Sequence, residues 1–423
     1  MSNSEEQHRI GFISTRLAGT DGVTLETKKW ANILTNLGHK CFYFAGECDT
    51  PSEISVTVPE AHFNHPEISA LNEDLFDNYT RSSETSGKIQ SLRYFLKRRL
   101  YKFIRKFDIE LLIIENALSI PMNIPLGLAL TELIAETSIP TIGHHHDFGW
   151  ERSRFKISAA SDYQLGAFPP ILPSIRHVVI NSYASRQLAL RLGASSTIIP
   201  NVMDFDNPPP EMDDYSEDLR ENFNINPDDC ILLQPTRVVP RKRIELAIEL
   251  TRRLGTGCAL VISHYSGDEG SSYANYLQTY AEMMDVRVIA VADQINHQRG
   301  RTPEGKKIYS LADIYQRSNL ITYPSTVEGF GNAFLETIYF RRPIVMSTYE
   351  IFRTDIEPKG FDVIEFGDFI TEETVTQAKK LLNNPELANK IIERNFELGR
   401  RYFSYRTLEY RLVALVNESF GYI

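Results

Sequence analysis

Pro324-Ser325-Thr326-Val327-Glu328-Gly329-Phe330-Gly331-Asn332-Ala333-Phe334-Leu335-Glu336 is the stretch on which the reading of this 423-residue chain turns. It follows an apolar run, residues 320–323, that reads as a strand, and it leads into a helical pattern beginning near Asn332. Gly329 and Gly331 let the backbone approach a ligand closely, while a helix start presents N–H groups and the positive end of its dipole. Strand, glycine-bearing loop and helix in that order make one unit of a parallel sheet covered by helices.

The same rhythm extends in both directions. Upstream, residues 10–14, 41–45, 111–115, 141–144, 178–181 and 197–200 read as strands, most of them separated by amphipathic segments such as 24–37. After a break it resumes with 231–234, 259–263, 286–291, 320–323 and 344–346. The break carries Pro208 to Pro210 and, from Met203 to Arg220, seven acids against one arginine, which reads as a linker. The expected fold class is therefore α/β, with two doubly wound Rossmann-like domains facing a central cleft. The expected boundaries are an N-terminal, acceptor-side domain at 1–203, an acidic proline-rich linker at 204–220, and a C-terminal nucleotide-sugar-binding domain at 221–400. A helical segment at 401–423 is expected to pack back on the first domain.

Composition excludes several function classes. A formal charge of −10 argues against a duplex nucleic-acid binder, which needs a basic excess. Cys41, Cys48, Cys230 and Cys258 show no CxxC spacing and suit a reducing compartment. The polar start of the chain lacks the pattern of a signal peptide, and residues 110–130 are broken by Glu115, Asn116, Asn123 and prolines. A cytoplasmic location is expected.

Glu328 and Glu336 are eight residues apart, which in a helix would separate them by about 12 Å. Two carboxylates acting on one anomeric carbon stand about 5 to 9.5 Å apart. The pair is therefore better suited to holding different parts of a long ligand such as a nucleotide sugar. Glu-Gly-Phe-Gly followed by a second glutamate after seven residues resembles the signature of retaining glycosyltransferase family 4, of the GT-B fold. That resemblance implies that Glu328 contacts donor-sugar hydroxyls, that Glu336 binds the ribose, and that Gly329, Phe330, Gly331, Asn332 and Ala333 line the donor site.

A second match lies at Pro235-Thr236-Arg237-Val238-Val239-Pro240-Arg241-Lys242. Two fixed cations after a strand can neutralise a diphosphate and stabilise it as a leaving group. The resemblance gives Arg237 and Lys242 that role, so no metal and no cofactor is expected beyond the nucleotide-diphosphate sugar itself. Ile199-Pro200-Asn201-Val202 and Tyr309-Ser310-Leu311-Ala312-Asp313 extend the likeness over most of the chain. Arg341-Arg342-Pro343 departs from it, because the family commonly has glycine before this proline.

In the first domain, Ser14-Thr15-Arg16-Leu17-Ala18-Gly19-Thr20-Asp21-Gly22-Val23 follows a strand and opens a helix without forming a GxGxxG fingerprint. By resemblance this loop faces the cleft, with Gly19 and Gly22 allowing close approach and Arg16 a candidate for an anionic acceptor. His144-His145-His146-Asp147 ends a strand. Alternate side chains there point to opposite faces, so three imidazoles do not readily converge on one metal, and none is assigned. The resemblance turns His146 and Asp147 toward the reacting sugar. Residues 93–107 form a basic helix with Leu96, Leu100 and Phe103 at helical spacing. A solvated face on a packed helix is favoured there over a membrane-surface face.

The resemblance implies retaining transfer of a hexose, in which the acceptor hydroxyl attacks on the face the nucleotide leaves and the departing phosphate takes the proton. The stretch from Thr15 to Val23 also resembles bacterial enzymes that mannosylate glucosylglycerate or its phosphate. This implies GDP-mannose ahead of UDP-glucose as donor and a small anionic sugar as acceptor. The alternatives are a glycolipid or polysaccharide acceptor, a sugar phosphorylase of the same fold, and a non-catalytic nucleotide-sugar-binding protein. The sequence does not fix the oligomeric state.

Overall fold

A computed structural model describes residues 7–265, 272–296 and 298–421. The chain divides into two units, which exchange at Asn201/Val202 and again at Ser404/Tyr405.

The first unit is built on seven parallel strands. They are β1 (Arg9–Ile13), β2 (Lys40–Ala45), β3 (Ser55–Thr57), β4 (Leu111–Glu115), β5 (Thr141–His145), β6 (Ile175–Val179) and β7 (Thr197–Ile198), in the order β3-β2-β1-β4-β5-β6-β7. Every residue of β4 and β5 is buried, as expected of central parallel strands covered on both faces. Helix starts are written into the sequence: Asp21, Asn123 and Asn181 each accept a backbone N–H of the first turn, and Gly193 ends a helix in the left-handed region. The helix Ser83–Phe107 lays Leu96, Leu100, Phe103 and Phe107 into the core shared with Leu112 and Ile114.

The second unit carries six parallel strands and a small three-stranded sheet. The larger sheet consists of β8 (Cys230–Gln234), β9 (Cys258–Ile262), β10 (Val288–Ala290), β14 (Leu320–Tyr323), β15 (Ile344–Ser347) and β16 (Ile364–Phe366), in the order β10-β9-β8-β14-β15-β16. The smaller one pairs β11 (Ile295–Asn296), β13 (Lys307–Ser310) and β12 (Gly300–Arg301). Both large sheets turn from one winding direction to the other beside their first strand, between β1 and β4 and between β8 and β14. The α/β expectation of two Rossmann-like sheets holds. β3, β16 and the small sheet went unread because their residues, as in Ser55-Val56-Thr57, Ile364-Glu365-Phe366 and Gly300-Arg301, form no continuous apolar run.

The acidic stretch 204–220 differs from its expected role as a linker. It is packed into the second unit, with Phe205, Ser216 and Leu219 buried. Two of its seven acids have basic partners: Asp213 accepts two hydrogen bonds from Arg299 at 2.5 and 2.9 Å, and Asp218 accepts from Lys307 at 2.8 Å. The second unit runs on to Ser404, and the helix Tyr405–Phe420 belongs to the first, where Arg411 reaches the Ile198 carbonyl at 2.5 Å.

Candidate active site

Beside a switch point, loops on neighbouring strands diverge and leave room for a ligand at the carboxyl ends of the strands. In the second unit those loops follow β8 and β14. After β8 the chain passes the exposed Arg237 and turns through Pro240–Lys242, and Arg243, at φ 47°, starts the helix Ile244–Leu254. After β14 it passes Glu328 and enters the helix Asn332–Tyr339. The loops are tied together: the Arg241 carbonyl accepts from the Thr326 N–H and hydroxyl, each at 2.9 Å, and Arg241 Nη1 donates to the Val327 carbonyl at 3.2 Å.

This clamp makes Lys242 and Glu328, 86 residues apart, a buried ion pair. The ammonium also lies 5.4 Å from the centroid of the Tyr323 ring, and Arg241 stands 3.6 Å from the carboxylate. Burial lowers the Lys242 pKa, helped by the charges of Arg241 and Arg237 and opposed by Glu328. Burial alone would raise the Glu328 carboxyl, but Lys242 and Arg241 outweigh it and hold it below its ordinary value.

Gly331 has a φ of +121°, and a Cβ there would stand 2.2 Å from Tyr349 Oη. That hydroxyl donates to the Phe330 carbonyl at 2.8 Å, and the Phe330 ring packs edge-on against Phe403 at 5.3 Å. The glycine is thus required by both conformation and space. Gly329 is exposed, whereas Asn332 and Ala333 open the helix, which carries no first-turn acid and no side-chain cap. Glu336, half-buried about one turn further on, accepts from Tyr315 Oη at 2.9 Å. Arg341, near the family's usual glycine, adopts φ 53° and is held by Glu393 at 3.0 Å and by the Phe396 ring at 3.6 Å.

In the first unit, Asp21 caps the helix Gly22–Asn36 and holds Arg16 Nη2 at 3.1 Å, so any anion at Arg16 competes with that carboxylate. Gly19, at φ 81°, is exposed and donates its N–H to Asp49 Oδ2 at 3.3 Å, and Gly22 is exposed at the helix start. The three histidines separate as strand geometry requires. His145 pairs with His177 at 3.0 Å, whereas His144 and His146 share Glu115 Oε2 at 2.9 and 3.0 Å. Burial by itself would lower the His146 pKa, but Glu115 more than offsets it and the net direction is upward. Asp147 accepts from Arg152 Nε at 2.5 Å and from Asn116 Nδ2 at 3.3 Å.

Sequence reasoning missed Glu115 as a site residue. The available signal was an acid at the end of the otherwise apolar run Leu111-Leu112-Ile113-Ile114. On the basic helix, Arg93 and Lys97 are paired with Glu132, and Lys97 also with Glu136, which leaves Arg98, Arg99, Lys102, Arg105 and Lys106 exposed. Among the described residues no helix is long and apolar enough to cross a membrane.

Comparison with known proteins agrees with this architecture. No protein-family model matches the chain. It is 32% identical to a mannosylglucosylglycerate synthase of Petrotoga mobilis, over 93% of this chain and 98% of that one. A mannosylglucosylglycerate synthase of Thermotoga maritima is 31% identical, over 95% and 98% respectively. A solved glycosyltransferase from Rickettsia africae shares the fold, with a TM-score of 0.68 at 13% identity over 98% of this chain and 99% of that one. Identity of this extent and coverage, carried on two Rossmann-like sheets, places the chain in the mannosylglucosylglycerate synthase family of GT-B glycosyltransferases.

Proposed function

We propose that this glycosyltransferase transfers mannose, with retention, from GDP-mannose to a hydroxyl of glucosylglycerate. The observation that carries the reading is the clamp joining the loops after β8 and β14. It gathers the Lys242 cation and the Glu328 carboxylate beside an uncapped helix start. The names of the two relatives support the product, and the buried Lys242 with the exposed Arg237 supports the leaving-group chemistry.

In this reading Glu336 binds the ribose and Glu328 the hydroxyls of the mannose. Arg237 and Lys242 neutralise the diphosphate as its bond to the sugar breaks. The acceptor hydroxyl attacks on the face the diphosphate leaves and gives its proton to the departing phosphate, so no protein general base takes part. Orientation and preorganised charge supply the rate. Arg16, Gly19, Gly22, His146 and Asp147 form the acceptor side, Arg16 facing the glycerate carboxylate. The enzyme works on small soluble substrates, in the cytoplasm, and needs no metal at the diphosphate.

The test is a thermal-shift screen against GDP, UDP, ADP and their hexose conjugates, followed by product analysis with glucosylglycerate. A nucleotide at 100 times its Kd should stabilise the protein by about 2.7 kcal/mol. A response to GDP and GDP-mannose, with a new disaccharide glycerate of retained anomeric configuration, is expected. A response to UDP-glucose alone would replace the donor, and phosphate-dependent cleavage without any nucleotide response would replace the reaction class.

A further inference from the structure

The donor reading leaves one buried cluster of the first unit without a role beyond positioning. β4 and β5 run parallel with Glu115 opposite His144, and His146 follows two residues later on the same face. The carboxylate and both imidazoles therefore converge from two adjacent strands. Their ligating atoms, Glu115 Oε2, His144 Nδ1 and His146 Nε2, all lie within 4.8 Å of one another.

Three features of this convergence suit a cation. First, an ion about 2.0 to 2.2 Å from each ligand sets neighbouring ligand atoms about 2.9 to 3.5 Å apart in tetrahedral or octahedral geometry. The two carboxylate–imidazole separations, 2.9 and 3.0 Å, fall in that interval, and the two imidazole nitrogens, within 4.8 Å of each other, would have to draw together on the ion. His146 lies just past the end of β5, with its side chain 9% exposed. Second, His144 Nδ1 stands 2.9 Å from Glu115 Oε2 without hydrogen-bond alignment, and Glu115 Oε1 and His144 Nε2 are buried without a hydrogen-bond partner. A carboxylate oxygen and an imidazole nitrogen this close without hydrogen-bond alignment are placed as two ligands of one ion are.

Third, the buried carboxylate faces both imidazoles. Glu115 is fully buried, and its ion-pair contacts are the two imidazoles. The neighbouring acids are already matched, Glu26 with Lys29 at 2.5 Å and Asp147 with Arg152 at 2.5 Å. The surroundings also hold the two histidines in place: Trp30 stacks on the His144 ring at 4.1 Å, and Asn116 Oδ1 accepts the backbone N–H of His146 at 2.8 Å.

We propose that Glu115, His144 and His146 form a binding site for one divalent transition-metal ion of the kind that two imidazoles and a carboxylate select, such as Zn²⁺, Co²⁺ or Mn²⁺. The sequence assigned no metal here because three consecutive histidines cannot converge. The fold removes His145 to the opposite face and supplies Glu115 in its place. The site belongs to the first unit alone, so it does not depend on the donor reading. The ion would orient His146, the least buried of the three.

The experiment uses the full-length protein, stripped with chelator and titrated with Co²⁺ and Zn²⁺ by calorimetry, with the visible absorption of bound Co²⁺ as a second readout. One ion per chain is expected, with Zn²⁺ displacing Co²⁺ and its absorption. Glu115→Gln and His146→Gln should each weaken binding by about tenfold or more. If Glu115→Gln fails to fold, His146→Gln at the strand's end decides. Absence of stoichiometric binding by the folded wild-type protein, or binding unchanged in a folded variant, would overturn the site. Neither readout involves sugar transfer.

Discussion

Removing one member of the Lys242–Glu328 pair should cost far more than removing both. Each side chain is about nine-tenths buried, at 8% and 10% exposure. Lys242→Met leaves the Glu328 carboxylate buried with Arg241, at 3.6 Å, as its remaining ion-pair partner among the described residues. Glu328→Leu leaves the ammonium against the Tyr323 ring and the repelling charges of Arg241 and Arg237. Breaking a buried pair from one side costs about 3 to 5 kcal/mol, whereas replacing both members with apolar groups is often nearly neutral. For a unit of this size that corresponds to a fall of about 6 to 20 °C in melting temperature for each single variant. The double variant Lys242→Met/Glu328→Leu should fall by no more than the milder single change. The assay is thermal unfolding by far-UV circular dichroism, because Trp30 and Trp150 lie in the first unit and do not report on this one. A double variant whose fall equals the sum of the two singles would show that the groups do not compensate each other, and the clamp would lose its electrostatic basis.

Two further outcomes follow from the same geometry. Glu336→Ala should weaken nucleotide binding about 10- to 100-fold, the loss expected of a hydrogen bond to a charged group, while Arg237→Ala should chiefly lower turnover, by about 100-fold. Calorimetry with GDP and steady-state kinetics separate the two, and full activity in both variants would remove the donor-site model. His177, buried against His145, is pushed down by burial to about 4, from 6.5. Its neutral form is the one the fold accepts, so its contribution is complete above pH 6.5 and is lost as pH falls toward 4. The loss is about 3 kcal/mol, and in His177→Gln the melting temperature should change less over that interval.

How much was legible in the sequence depended on how local the determinant is. The parallel sheets were readable because each central strand is a short apolar run followed by a helix signal. The loop after β14 was readable because glycines and a helix start stand next to each other in the chain. The acidic stretch before Arg220 was misread for the opposite reason. Its composition is that of a solvated linker, and the residues that pair with two of its acids, Arg299 and Lys307, lie 86 and 89 positions downstream of Asp213 and Asp218. Glu115 is the sharper case. In the sequence it is a polar interruption at the end of an apolar run, and His144 to His146 are three imidazoles that cannot share one face. What joins them is the register Glu115↔His144 between β4 and β5. A slip of one residue would put Ile114 opposite His144 and turn Glu115 to the other side of the sheet, toward His145. Burial alone does not set this register, since every residue of both strands is inside the core, and what the observed pairing adds is that Glu115 meets both His144 and His146. A local reading of either strand therefore cannot find the cluster, and only the pairing of the two can.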